Sequence, residues 1–301
     1  MSGTKVVVDV EGQQVALTNL HKVLYPSVGF AKAQVVDYYT RIAPVLLPHL
    51  ADRALTRKRY PDGVEGQVFF EKNAPRGTPE WVRTERLPSP GSSKGRETID
   101  YVVVDDLATL VWTANLAALE LHTHMWRVNA AQPDPEQCPP DMVVFDLDPG
   151  PPATIVECCQ VAQLLRPLLA ADGLPPVAKT SGSKGLQLYA RADAFDSAEA
   201  TSAYAKGLAQ RLEKEHPELV VHRMTKALRP GKVLVDWSQN SAAKTTVSVY
   251  SLRARERPTV STPVTWDEVA GCSSPEDLVF TSDDVLQRVD ELGDLFAPLL
   301  G

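Results

Sequence analysis

Apolar and polar positions change their period several times along the chain, and each change marks an element. Residues 5–10 read as a strand, and beyond them Thr18 or Asn19 stands where a turn would be capped. Over residues 31–47 the apolar positions recur at helical spacing. Residues 56–60 and 67–71 read as strands around a Pro-Asp-Gly turn, and residues 87–97 have the composition of a loop. A strand is predicted over 99–104, then a helix with a broad apolar face over 107–121.

A proline-rich stretch at 133–140 reads as a linker and suggests an internal module boundary. Strand and helix alternate beyond it. Residues 142–147 form a buried strand, 154–171 a helix despite Pro167, and 177–180 and 186–190 two strands across a glycine-bounded turn. Residues 197–215 read as a helix; strands at 219–222 and 232–236 flank a basic loop, 223–231. A last helix is expected near 282–292, with Asp283 and Asp284 at its positive end. The class is α/β (α+β) with mixed sheets. At 301 residues, the expected organisation over 1–301 is two modules packed around one cleft.

Composition narrows the function. Hydrophobic residues make up 44% of the chain, enough for a sizeable core. No stretch approaches the roughly 18 apolar residues of a membrane span, and the first residues carry no basic or apolar leader, so a cytoplasmic protein with no membrane partner is expected. Cys138, Cys158, Cys159 and Cys272 lack metal-ligand spacing. The net charge of -7 is unevenly placed: nine acids and only Arg288 fall after residue 257, leaving the rest of the chain at +1. Residues 221–257 hold eight Lys/Arg against Asp236 and Glu256, a local field able to follow a phosphate backbone.

Three strand ends carry the chemistry. In Val143-Val144-Phe145-Asp146-Leu147-Asp148-Pro149-Gly150, residues two apart point the same way, so Asp146 and Asp148 share a face. Paired carboxylates repel unless a cation sits between them, and hard oxygen ligands select Mg²⁺ or Mn²⁺. Thr180-Ser181-Gly182-Ser183-Lys184-Gly185 follows a strand and offers hydroxyls, amides and a lysine to phosphate, without Walker A spacing. Val233-Leu234-Val235-Asp236 ends a third strand with the further acid that a two-metal site needs.

These motifs, in this order, resemble the polymerase domain of bacterial DNA ligase D, of the archaeo-eukaryotic primase superfamily. Lys22-Val-Leu-Tyr-Pro26, Thr56-Arg-Lys-Arg59, Phe69-Phe-Glu-Lys72, Met224-Thr-Lys226, Gly231-Lys-Val233, Val235-Asp-Trp-Ser-Gln-Asn240 and Tyr250-Ser-Leu-Arg253 share in it. The resemblance implies an N-terminal α/β module packed on an RNA-recognition-like catalytic module. It implies a nucleotidyltransferase that adds nucleotides, ribonucleotides preferentially, to primer 3′ ends at gaps or broken ends in non-homologous end joining. By that analogy Asp146, Asp148 and Asp236 hold two Mn²⁺ or Mg²⁺ ions. Ser181, Ser183 and Lys184 hold the NTP or dNTP triphosphate, and Lys58, His122 and Arg253 line the nucleotide pocket. Phe69 and Phe70 stack at the template, and Lys22 and Lys32 grip a downstream 5′-phosphate. Lys226, Arg229 and Lys232 form a DNA-binding loop. A separate ATP-dependent ligase and the Ku end-binding protein are the implied partners, at the nucleoid, because the resemblance includes no ligase or nuclease segment.

The chain departs from that pattern at Gln187, where the resemblance leads one to expect histidine. Strand alternation puts Gln187 with Tyr189, and the expectation is that it reaches the triphosphate. Two rivals remain on the residues alone. One is an aspartyl-phosphate phosphohydrolase, whose Asp-x-Asp-Gly-Thr motif Pro149 interrupts; the other is a non-catalytic DNA-end scaffold, which has no need of three retained aspartates.

Overall fold

The computed structural model describes residues 5–88, 97–128 and 139–301. A hairpin of β1 (Lys5–Val10) and β2 (Gln13–Thr18) opens the chain, and the short pair β3 (Val23–Tyr25) and β4 (Phe30–Ala31) leads into α1 (Lys32–Leu50). Val35, Tyr38, Tyr39, Ile42, Leu46 and Leu50 form the buried stripe of α1. That stripe carries the helix past Pro48 and beyond its predicted end.

The first sheet contains β5 (Ala54–Arg59), β6 (Phe69–Glu71), β7 (Thr84–Pro88), β8 (Thr98–Val103), β9 (Ala118–Thr123) and β15 (Thr246–Val247). Its order is β15-β9-β5-β8-β7, with β6 paired to β5. Two expectations are corrected here. Strand β7 takes Leu87 and Pro88 from the predicted loop, of which residues 89–96 lie outside the described residues, as do 133–138 of the predicted linker.

The helix expected over 107–121 is two elements. Helix α2 (Leu107–Asn115), capped by Asp106 on Thr109 N, stops at Leu116. Ala117 then turns through a left-handed φ of 57°, and β9 begins. Eleven of the fifteen residues from 107 to 121 are apolar, so the local pattern fits either period; pairing from Leu55↔Thr123 to Arg59↔Ala118 decides for strand.

The second sheet has the order β13-β14-β10-β12-β11-β16. Its strands are β10 (Met142–Pro149), β11 (Val177–Thr180), β12 (Leu186–Arg191), β13 (Val220–Val221), β14 (Val233–Asp236) and β16 (Pro263–Val264). The longer helices α3 (Ile155–Ala171) and α4 (Ala198–Glu215) fall within a residue of their predicted ends. The C-terminal part adds α5 (Trp266–Gly271) and α6 (Ser282–Leu292).

Strand β10 shows how the fold opens a site. Val143, Phe145 and Leu147 pack in a core with α3 and α4, while Met142 and Val144 face the core of the first module. On that second face the series continues as Asp146 and Asp148. One strand face thus changes from apolar to acidic along its length.

Candidate active site

Register places a row of polar side chains across the second sheet. Asp146 on β10 is directly opposite Asp236 on β14 and Gln187 on β12, and Gln187 is opposite Lys179 on β11. Directly opposed residues share a sheet face. Carboxylate oxygens of Asp146, Asp148 and Asp236 lie within 4.8 Å of one another, and the three can hold a metal ion. Asp236 is fixed by the turn that follows it: Oδ1 accepts from Ser238 N (3.0 Å) and Ser238 Oγ (2.5 Å), and Oδ2 from Gln239 Nε2 (2.8 Å).

Burial and mutual repulsion outweigh the cations near the acids. Burial, then the charges of Asp148 and Asp236, push the Asp146 carboxyl up to about 7 against the bond from Gln187. Burial and Asp236 also raise Asp148, opposed by Lys184, Arg229 and Arg253.

Gln187 shares a face with Tyr189 as alternation predicts, yet its amide is engaged inside the sheet. Only 4% exposed, it donates from Nε2 to Asp146 Oδ1 at 2.9 Å and accepts at Oε1 from Lys179 Nζ at 2.5 Å. Both ends of the amide are thus engaged within the sheet, by Asp146 and Lys179 across the strands and by Tyr189 on the same strand.

The phosphate loop is tightly folded. Ser181 Oγ accepts from Ser183 N (3.3 Å) and Gly185 N (3.1 Å). Gly182 sits at φ 65°, and a Cβ there would come within 2.6 Å of Val260 C and 2.7 Å of Arg253 Cγ, so only glycine fits. Ser183 Oγ accepts from Arg255 Nη2. Lys184 is exposed, with no side-chain hydrogen bond or ion pair among the described residues.

On the first sheet, Lys58, His122 and Arg253 converge on an acid that sequence reasoning missed. Glu120, 1% exposed, accepts from Lys58 Nζ (2.8 Å) and Ala254 N (3.1 Å), bonds His122 Nε2 (2.9 Å) and pairs with Arg253 Nε (3.3 Å). Burial raises its pKa, but His122, Arg253 and Lys58 outweigh that and hold it well below the carboxylate range. Burial lowers His122, aided by Arg253 and Lys58 and opposed by Glu120. Arg253 also donates to Ser181 O, which ties this cluster to the phosphate loop. Read as strand, the alternation in Ala118-Leu119-Glu120-Leu121-His122 pairs Glu120 with His122; the helix reading hid it. His124 is a core residue, stacked on Trp126 at 4.5 Å. Phe70 lies edge-on to His122 at 6.4 Å, and Phe69 and Phe70 are both exposed on β6.

Lys22 and Lys32 line, with Arg59, Asn19 and Asn115, a cavity of about 260 Å³. Lys32 Nζ donates to Thr18 O (2.7 Å), and Lys22 pairs with Asp62 (2.7 Å). Burial, then the charges of Arg59 and Lys22, push Lys32 down to about 8. In the basic loop Lys226 is exposed, Arg229 donates to Met224 O (2.6 Å) and Lys232 to Pro217 O (2.6 Å). Gly231 N bonds Gly150 O at 2.9 Å, seating the loop beside the acidic strand end.

This fold and site define a primase-polymerase, of the nucleotidyltransferase type and the archaeo-eukaryotic primase fold. The family model for the LigD primase-polymerase domain matches residues 31–296, and the chain belongs to that family. It is 45% identical over 287 residues to the multifunctional non-homologous end joining protein LigD of Mycolicibacterium smegmatis, covering 95% of this chain and 36% of that protein. The bifunctional LigD of Bacillus subtilis is 31% identical over 278 residues, covering 92% and 42%. The chain thus spans well under half the length of these relatives. The polymerase domain of Mycobacterium tuberculosis ligase D, solved in complex with DNA, superposes with a TM-score of 0.89 at 42% identity, covering 96% of this chain and 98% of that one. Among the described residues no helix is long and apolar enough to cross a membrane.

Proposed function

We propose that this chain extends primer 3′ ends at gaps and broken ends of DNA during end joining, preferring ribonucleotides, with residues 1–301 acting as one catalytic unit of two modules. The clustering of three carboxylates within 4.8 Å, beside a phosphate loop, carries this reading. Asp146, Asp148 and Asp236 would hold Mn²⁺ or Mg²⁺. Bound there, the metal supplies a more acidic 3′-hydroxyl and a neutralised leaving group.

The chain's own groups do the rest. Ser181 and Ser183 present hydroxyls and Lys184 an unpaired ammonium to the triphosphate. Lys58, His122 and Arg253 exchange Glu120 for the incoming nucleotide. Phe69 and Phe70 offer π-faces to a template base. Lys22 and Lys32 receive a downstream 5′-phosphate in their cavity, and Lys226, Arg229 and Lys232 follow the DNA backbone. A separate ATP-dependent ligase and Ku are the proposed partners, at the cytoplasmic nucleoid.

Primer extension on gapped, 5′-phosphorylated DNA tests the reading, with each nucleotide as NTP and as dNTP and either metal. Template-directed addition, faster with NTPs, is expected. Phosphate release from a phosphomonoester without extension would favour the phosphohydrolase, and DNA binding without extension the scaffold.

A further inference from the structure

The row across the second sheet does not end at the acids. Behind Asp146 stands Gln187, and behind Gln187 stands Lys179, 1% exposed. Lys179 Nζ meets three acceptors: Gln187 Oε1 at 2.5 Å, Ser261 Oγ at 2.7 Å and Val247 O at 3.1 Å. Ser261 gives its own proton to Thr180 O at 2.8 Å, so its oxygen is an acceptor toward Lys179. Burial, aided by Arg253, lowers the Lys179 pKa well below its ordinary value, and the charge of Asp146 opposes this. Against that burial, three acceptors around one nitrogen match the three donors of an ammonium, the form this geometry satisfies.

That ammonium determines how the amide of Gln187 lies. An ammonium only donates, and Asp146 Oδ1 accepts both when the carboxylate is ionised and when the proton sits on Oδ2. An amide between them has one workable orientation, oxygen toward Lys179 and nitrogen toward Asp146. The nitrogen then donates to Asp146 Oδ1 at 2.9 Å, while Oδ2 takes no hydrogen bond from the described residues. One oxygen of the carboxylate is tethered and the other is left for a ligand.

We propose that Gln187, locked by Lys179, is a positioning residue that sets the orientation of Asp146 and thereby the affinity of the acidic row for divalent metal. The inference rests on the metal-site reading above and concerns a residue that does not itself touch metal or nucleotide. Groups that orient metal-binding side chains are commonly worth about 10–100-fold in metal affinity. A neutral histidine also carries a donor and an acceptor on opposite sides of its ring, so it is the natural substitute here.

The test is direct Mn²⁺ binding to the whole chain, without DNA or nucleotide, by the paramagnetic resonance signal of unbound Mn²⁺. Gln187→Leu removes the bonds to Asp146, Lys179 and Tyr189 at nearly constant volume and is expected to weaken binding about 10–100-fold. Gln187→His is expected to stay within about threefold of wild type, because it restores the donor toward Asp146. Gln187→Leu alone strands a buried ammonium and risks misfolding. The double variant Gln187→Leu/Lys179→Met removes that charge as well. It is expected to recover the melting temperature while keeping the metal defect, a separation that a merely structural role would not produce. Wild-type Mn²⁺ affinity in the folded double variant would overturn the proposal. Absence of Mn²⁺ binding by wild type, or full binding by Asp148→Ala, would instead overturn the metal-site reading and this inference with it.

Discussion

The two sheets carry two charged walls, one acidic and one basic, that handle charge in opposite ways. On the second sheet, three carboxylates gather within 4.8 Å, and burial with mutual repulsion drives Asp146 up to about 7. On the first sheet, Lys58, His122 and Arg253 are already gathered around one buried carboxylate, Glu120. The acidic wall awaits a cation from outside. The basic wall has its counter-charge built in and must trade it when a triphosphate arrives. The acidic wall therefore sets whether chemistry occurs, and the basic wall sets how tightly, and at what cost to stability, the nucleotide is held.

The largest effect should come from the acidic wall. Asp146→Ala, Asp148→Ala and Asp236→Ala are each expected to lower single-turnover gap filling by at least about 10²–10³-fold, the scale of losing one electrostatic stabiliser. Asp148 accepts no hydrogen bond from the described residues, so Asp148→Ala, which removes one of several repelling charges, should leave the apo melting temperature unchanged or raised. Asp146→Ala and Asp236→Ala also lose the bonds from Gln187, Ser238 and Gln239. Near-normal extension by any of the three, or a collapse in stability, would break the comparison.

On the basic wall the order should reverse, with stability hit before chemistry. Glu120→Gln leaves Lys58, His122 and Arg253 facing one another, and breaking a buried ion pair from one side costs about 3–5 kcal/mol. The depressed pKa of Glu120 adds a sign: its stabilisation is present above the unfolded carboxylate pKa and is lost as pH falls through the folded one. The acid limb of a stability–pH curve should therefore flatten in the variant. Free NTP should raise its melting temperature more than that of wild type, because phosphates then replace the missing carboxylate. A variant that melts like wild type would show that the three cations need no internal partner.

The same contrast explains what was legible in the sequence. The acids of the second sheet sit on strands bounded by proline and glycine, so the alternation of Val144, Asp146 and Asp148 could be read directly. Glu120 could not be: residues 107–121 are apolar enough to suit helix or strand, and only pairing with β5 resolves them. Strands β15 and β16, two residues each, have no period to read. The face of Gln187 followed from alternation, but its partner Asp146 did not, because the register that opposes them joins strands 41 residues apart, whereas Lys179 lies only eight residues away across a hairpin. Local pattern reports which face a residue occupies; long-range register reports what it meets there.

A smaller effect belongs to the cavity of Lys22 and Lys32, a basic region with no buried acid. In the empty cavity Lys32 is held down to about 8 by burial, Arg59 and Lys22. A phosphate dianion favours the charged amine, so below that pH it binds without proton uptake, and above it each bound phosphate must draw a proton from solvent. The preference for 5′-phosphorylated over unphosphorylated ends should be largest below about pH 8 and fall by up to about tenfold per pH unit above it. Lys22→Ala/Lys32→Ala should abolish it, a loss of about 10–100-fold if one or two charge-assisted bonds are removed. Paired affinities at fixed salt across pH 6.5–9.5 measure this, and a pH-independent preference would sink the role given to Lys32.

The smallest effect is expected at Lys226, and its smallness sharpens the contrast with Lys58. Lys58 is bonded to Glu120 at 2.8 Å, whereas Lys226 stands exposed on the turn Lys226–Leu228 with no side-chain partner among the described residues. It gives up no internal bond when DNA arrives and loses little hydration. Its contribution is then the release of counterions from about one phosphate, blind to sequence. Lys226→Ala should therefore weaken DNA binding only a few-fold near physiological salt, equally on all sequences, and reduce the slope of log affinity against log salt by about 0.9. Nucleotide KM in gap filling should stay as in wild type, whereas Lys58→Ala should raise it with little change in the salt slope. A sequence-dependent loss, or an unchanged slope in Lys226→Ala, would mean that the loop reads DNA through contacts other than the backbone charge.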